Sequence, residues 1–366
     1  MGVAIFSTAA LLSACAREVD CGVCGANPTY CSWSYSSNKE LTIKGTGEMI
    51  KKQGDILKGV SRAHYEWYKY LKEMVAVDIS GVTVIGDEAF EGCTSLTSVN
   101  VGSDVVTIGK EAFNGCTGIT KLSLPSSVIE IGSYAFNKCT GITELNIPKR
   151  VTTIGESAFN RCTGLTKITI PNSVTEIGSN AFGGCTGVTE INIGSGLTVD
   201  KIGGSFALGG LTNLTAINVD AKNVRYCSVD GVLFDKDTTV LLEYPIGKQG
   251  AYIVPNTVTM IGKYAFNGAA GLTDITIPSS VVTIEEGAFK SCTGLTFAVV
   301  PEGVTTIGSY IFQECTGLTW VTIPKSLTKS GGSVFYGCTN LKERPKLPQS
   351  RSRSNTQRNQ GGWYGW

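Results

Sequence analysis

Apolar residues recur along this chain on a fixed spacing. From Ile131 the sequence reads Ile-Gly-x-x-Ala-Phe-x-x-Cys-Thr-x-Ile-Thr-x-Leu-x-Ile-Pro-x-x-Val-x-x, and at Ile154 it begins again. Units start at Ile85, Ile108, Ile131, Ile154 and Ile177, each 23 residues after the last. A second series starts at Ile261, Ile284 and Ile307, with a degenerate unit from Ser330. Between the series lies an irregular unit from Ile202, with an insert near residues 221–255. Within a unit, Ile168 and Ile170 alternate with Lys167 and Thr169, the period of a half-buried strand. Pro171 ends that strand, because proline has no N–H to continue the ladder. Val174-x-x-Ile177 predicts a second short extended run, and Ala181-Phe182-x-x-Cys185 a helical or 3-10 turn with Phe182 in the core.

A unit of this size cannot bury its own apolar face, so neighbours must stack and share one core. The expected architecture is a repeat solenoid: a parallel β array over residues 82–341. A small β-rich N-terminal cap with a hairpin is expected over 17–81, and a disordered basic tail without apolar periodicity over 342–366. Leu165-x-x-Ile168-x-Ile170 fits the strand signature of a leucine-rich repeat.

The match is closer than the class. "IGSYAFNKCTGITELNIPKRVTTIG" and its copies resemble the BspA-like leucine-rich repeat surface proteins. So do the insert "YCSVDGVLFDKDTTVLLEYPIGKQGAYIVPNTVTMIG" and the opening segment "CSWSYSSNKELTIKGTGEM". That resemblance implies an extracellular or cell-surface protein of an anaerobic microbe or protist, acting as an adhesin. It carries no catalytic residues and implies no cofactor.

Composition narrows the function. The net charge of +1 gives no field to steer the chain toward nucleic acid. The single histidine, His64, leaves little for acid–base or metal chemistry, so no enzyme and no metal site are expected. Residues 1–16, "MGVAIFSTAALLSACA", read as a secretory signal, with Ala14-Cys15-Ala16 as its cleavage site. Leu12-Ser13-Ala14-Cys15 reads alternatively as a lipobox, and no basic residue precedes the apolar run in either case. No later apolar stretch is long enough to span a membrane.

Eight cysteines occupy one repeat position: Cys93, Cys116, Cys139, Cys162, Cys185, Cys292, Cys315 and Cys338. Ala269 fills the same slot in its unit, so a small buried side chain is expected there rather than sulfur chemistry. Cys21, Cys24, Cys31 and Cys227 lie outside this ladder. For an exported chain, a disulfide in the N-terminal cap reads better than zinc, which would need a second cysteine pair.

The outward strand position carries Lys121, Glu144, Lys167 and Glu190 in alternation, as stacked neighbours require. Phe297, Val299 and Trp320 break that polar rule and are the candidate ligand-binding residues. The terminal Trp363, Tyr364 and Trp366 are a second candidate docking element, and Asn213-Leu-Thr215 is the usable glycosylation sequon. The expected function is recognition of a protein ligand, of host or extracellular-matrix origin, through the exposed strand face. The alternative is a structural surface coat whose regular face packs on copies of itself.

Overall fold

The computed structural model describes residues 20–23, 31–49, 66–198 and 207–348. The signal segment, His64, Cys24 and the aromatic C-terminus lie outside them, as do the side chains of Cys21 and Cys31. Asp20–Val23, Cys31–Tyr35 and Glu40–Glu48 pair antiparallel in that order. Glu40–Glu48 then pairs parallel with Ala76–Ile85, which sets the direction of everything that follows. The first half of Ala76–Ile85 pairs with Ser98–Val101 and its end with Thr107–Ile108. One long strand therefore seeds both sheets of a β-solenoid.

Each coil contributes a front strand such as Lys167–Ile170 and a two-residue back strand such as Glu176–Ile177. Both stack in parallel on the same positions of the next coil, Lys167 on Glu190 and Ile154 on Ile177. The third side is a ladder of turns. Cys139 donates to Phe136 and Ile142 to Cys139, each an i to i+3 bond of 3.2 Å. Between them Tyr134, Phe136 and Lys138 donate at 2.7 Å to Glu156, Ala158 and Asn160 of the next coil. Half the amides on this side are thus committed to a neighbour, and no helix forms. Tyr134 and Lys138 accordingly take left-handed φ values of 59° and 60°, which a right-handed helix excludes.

The Ile-Gly pair has a steric cause. A Cβ on Gly132 would lie 2.7 Å from the carbonyl carbon of Gly109 in the coil before. The coils approach there to the limit that backbone alone allows.

The core is a spine of stacked rings. Phe90, Phe113, Phe136, Phe159 and Phe182 follow one another at 5.0 to 5.4 Å between centroids. Trp67 extends the stack into the cap at 6.2 Å, and its indole N–H donates to the Ala89 carbonyl at 3.1 Å. Beside the rings, seven of the eight ladder thiols donate to the phenylalanine carbonyl of the preceding coil, as Cys162 does to Phe136 at 3.2 Å. The same bond recurs at Cys116, Cys139, Cys185, Cys292, Cys315 and Cys338. The slot therefore offers a directional hydrogen bond beyond the volume inferred from sequence, although Ala269 fills it by volume alone. Burial pushes the thiols of Cys116, Cys139, Cys162, Cys185, Cys292 and Cys338 up, Cys185 to about 12, so they stay protonated donors.

The insert does not project from the array. Its hairpin, Tyr226–Val229 with Val232–Asp235, lies across the core and divides it. Leu233 packs in the first apolar cluster, while its neighbours Val232 and Phe234 pack in the second. Alternation along one strand lets it serve two cores. Asn223 locks the hairpin's approach: fully buried, it donates to Gly194 and Leu197 and accepts from Arg225 and Tyr226, all at 2.9 Å. Tyr244 then restarts the ring spine, 4.8 Å from Phe266. At the other end Leu347 packs on the second cluster and the Pro348 carbonyl accepts from Ser330 at 2.7 Å. Residues 342–348, read from sequence as the start of the tail, therefore lie along the last coil.

Two outcomes test this packing. Phe159→Ala should cost about 3–5 kcal/mol by opening a cavity in the spine, and Cys162→Ala about 1–2 kcal/mol, for a lost small side chain and hydrogen bond. Urea melts showing the cysteine change to be the worse would overturn that order. Arg161, exposed and at φ 59°, should gain about 0.5–1 kcal/mol on replacement by glycine, read as a raised urea midpoint.

Candidate functional surface

Front strands bury alternate residues and present the others, so the sheet displays two rows of outward side chains. In the N-terminal half the first row carries charge. Lys121 lies in register with Glu144, and Lys167 with Glu190. Lys167 Nζ reaches Glu190 Oε1 at 3.0 Å, and Asn218 Nδ2 reaches the same oxygen at 3.0 Å. The hydrogen bond from Lys167, aided by Asn192 and Asn218, holds the Glu190 carboxyl below its ordinary value. The Lys167–Glu190 pair is internally satisfied.

The C-terminal half differs. Phe297 sits directly beside Trp320, and Val299 beside Thr322, on paired parallel strands. Phe297, Val299 and Trp320 are 40%, 46% and 53% exposed, so the structure brings all three candidate residues together on one open face. It adds a fourth. Ile253, 72% exposed, lies in register with Thr276, in the same row as Val299. Sequence reading left Ile253 inside the insert. The signal was present, because Ile253-Val254-Pro255 repeats the Thr276-Ile277-Pro278 positions 23 residues earlier. Tyr252, between Ala251 and Ile253, turns inward and packs on the second core at 5.1 Å from Tyr244.

The other candidates play smaller parts. Cys227 is a half-buried free thiol that donates to the Asp235 carbonyl at 3.0 Å. Asn213 is exposed, but its amide bridges coils by donating to the Thr186 carbonyl at 2.8 Å. Among the described residues, no three of His, Cys, Asp and Glu converge in a metal-binding arrangement. No helix among them is long and apolar enough to cross a membrane.

A solenoid of 23-residue coils with an outward strand face is a leucine-rich repeat array, and comparison with known proteins specifies which kind. The family model described as "BspA type Leucine rich repeat region" matches residues 83–206 and 249–353 in six copies. The chain belongs to that family. It is similar to a leucine-rich cell surface protein from Faecalibacterium prausnitzii A2-165, at 27% identity and TM-score 0.60 over 91% of this chain and 96% of that one. A leucine-rich repeat protein from Eubacterium ventriosum aligns at 24% identity and TM-score 0.50, over 92% and 98% of the two chains. The pneumococcal vaccine antigen PcpA aligns at 21% identity and TM-score 0.54, over 88% and 87%. The last two show a shared fold alone. No curated protein matches the chain.

The charged row yields a pH prediction. A carboxyl held low in the folded state stabilises above its unfolded pKa, and that contribution is lost as pH falls through the folded value. Lys167→Met should move the Glu190 titration upward toward the ordinary glutamate value, as read by carbon-detected NMR. An unmoved titration would mean that Lys167 does not set it.

Proposed function

We propose that this protein is a surface-displayed recognition module that captures another protein through the C-terminal third of its strand face. The reading rests on one observation: Phe297, Val299 and Trp320 on paired strands, with Ile253 in the same row beyond the intervening strand Leu272–Thr276, expose a mixed aromatic and aliphatic surface on an otherwise polar face. A folded chain gains nothing by holding such side chains in water, whereas a partner that covers two aromatics gains a few kcal/mol. The rigid array sets their spacing in advance, which lowers the entropy lost on binding. A display outside the cell, with a host or extracellular-matrix protein as ligand, accords with the family. It also accords with the description of the Faecalibacterium relative as a cell surface protein. The same grounds support a non-enzymatic role, in which the coils supply surface and the exposed side chains select the partner.

Capture of the full chain on surfaces coated with solubilised extracellular-matrix protein tests the reading. Phe297→Ala combined with Trp320→Ala should weaken capture at least tenfold and leave the far-UV spectrum unchanged. Lys121→Ala or Lys167→Ala should change it less than threefold, equivalent to about 0.65 kcal/mol. Loss of capture with the lysine changes alone would move the contact to the charged half of the face. Concentration-dependent growth in light scattering without matrix capture would instead mark a self-assembling coat.

A further inference from the structure

A groove of about 650 Å³ opens on the N-terminal half of the array, well away from the aromatic patch in sequence and in the stack of coils. On the strand side it is lined by Asn146, Thr169, Asn192 and Asn218, and on the turn side by Asn172 and Ser173. These strand residues belong to the second outward row, with Thr169, Asn192 and Asn218 in direct parallel register. Successive groups therefore stand about 4.8 Å apart along the solenoid axis. Ile147, Ile170, Ile193 and Pro171 line the groove between the two sides.

The chemistry of this lining is narrow. Asn218 Nδ2 is tied to Asn192 Oδ1 at 3.0 Å, which fixes the orientation of both amides. Asn146 and Thr169 are exposed and make no side-chain hydrogen bond to another described residue, so both are free to bind. The only formal charges in the lining are Lys149 on its first coil and Asp220 on its last, opposite in sign. A neutral ligand fits this balance better than an anion or a cation.

Asn146 offers a donor and an acceptor side by side and Thr169 a hydroxyl, which together match a pair of neighbouring hydroxyls, while Asn218, whose Nδ2 is held by Glu190 and Asn192, adds its carbonyl oxygen as an acceptor. Ile147, Ile170 and Ile193 close the floor from beneath, all but buried, and the partly exposed Pro171 presents the apolar surface that a pyranose C–H face would meet. An extended peptide is the poorer fit: it would need unpaired strand edges for its backbone, and the front strands here spend theirs on each other.

From these features we infer that the groove binds a neutral oligosaccharide of extended, diequatorially linked hexopyranoses. It lies along the solenoid axis with one sugar unit per coil. Asn146, Thr169 and the Asn218 carbonyl oxygen read the hydroxyl edge of the chain, and the regular coil spacing sets the register. No aromatic ring lines the groove, so single contacts are weak and a polymer gains through several coils at once.

Titration of the full-length protein with cellohexaose, maltohexaose and a neutral Ser-Ala hexapeptide, followed by calorimetry and NMR, tests the inference. Cellohexaose should bind at least tenfold more tightly than maltohexaose, whose linkages curl the chain away from the axis. Asn146→Ala with Thr169→Val should weaken cellohexaose binding at least tenfold; both side chains are exposed and unbonded, so the fold should be retained. Trp320→Ala should leave it within twofold, which separates this site from the aromatic patch. No binding of cellohexaose, binding indifferent to the double change, or preference for the peptide would each overturn the inference.

Discussion

The interaction on which this molecule rests is the coil-to-coil ladder of backbone hydrogen bonds, drawn tight on all three sides of the solenoid. Front strands, back strands and turns each direct amides at the neighbouring coil, with Phe136 to Ala158 and Gly155 to Ile131 as examples from two sides. A single coil has no other partners for those groups, and an unpaired buried amide is costly. The spacing between coils is consequently fixed at about the strand repeat. That spacing accounts for the glycine after every back-strand isoleucine but Ile284, the rings at close stacking distance and the thiols that reach a carbonyl one coil away.

Because the inward positions meet this shared demand, they carry little individual information. Phe113, Phe136 and Phe159 do the same work in successive coils, as do Cys116, Cys139 and Cys162. The outward rows are released from it. A charge pair such as Lys167 with Glu190 and an aromatic pair such as Phe297 with Trp320 occupy equivalent strand positions with no change in the backbone beneath. One scaffold can thus carry an internally neutralised charge pair and an open apolar patch, and differ in what each will bind.

The insert shows how far the ladder tolerates interruption. A hairpin is usually a projection, but here it enters the stack as a partition, with Leu233 facing one core and Phe234 the other. Among the described residues the back-strand sheet runs to Glu176–Ile177 and again from Val240–Glu243, and the two halves are joined by packing, by the buried Asn223 and by backbone bonds such as Ile217 to Gly231. Tyr244, larger than phenylalanine by a hydroxyl, restarts the spine where the coil geometry is irregular.

Much of this was legible in the sequence. The repeat period, the alternation along each front strand and the proline that ends it determined the solenoid, because local periodicity and chain stiffness leave no other way to bury seven apolar residues in 23. The same alternation placed Phe297, Val299 and Trp320 outward. What the sequence could not supply was any contact between residues outside the period. It did not show that the segment after Ala-Phe forms cross-coil turns rather than helix, since that depends on carbonyls 22 residues away. It did not show the bonds from the ladder thiols to residues 26 positions back. Nor did it bring Ile253 to the aromatic patch, because the insert's path through the core decides where the periodic register resumes. Repetition writes the coil into the chain, but where the period breaks, only packing of the insert against both cores fixes which side chains meet.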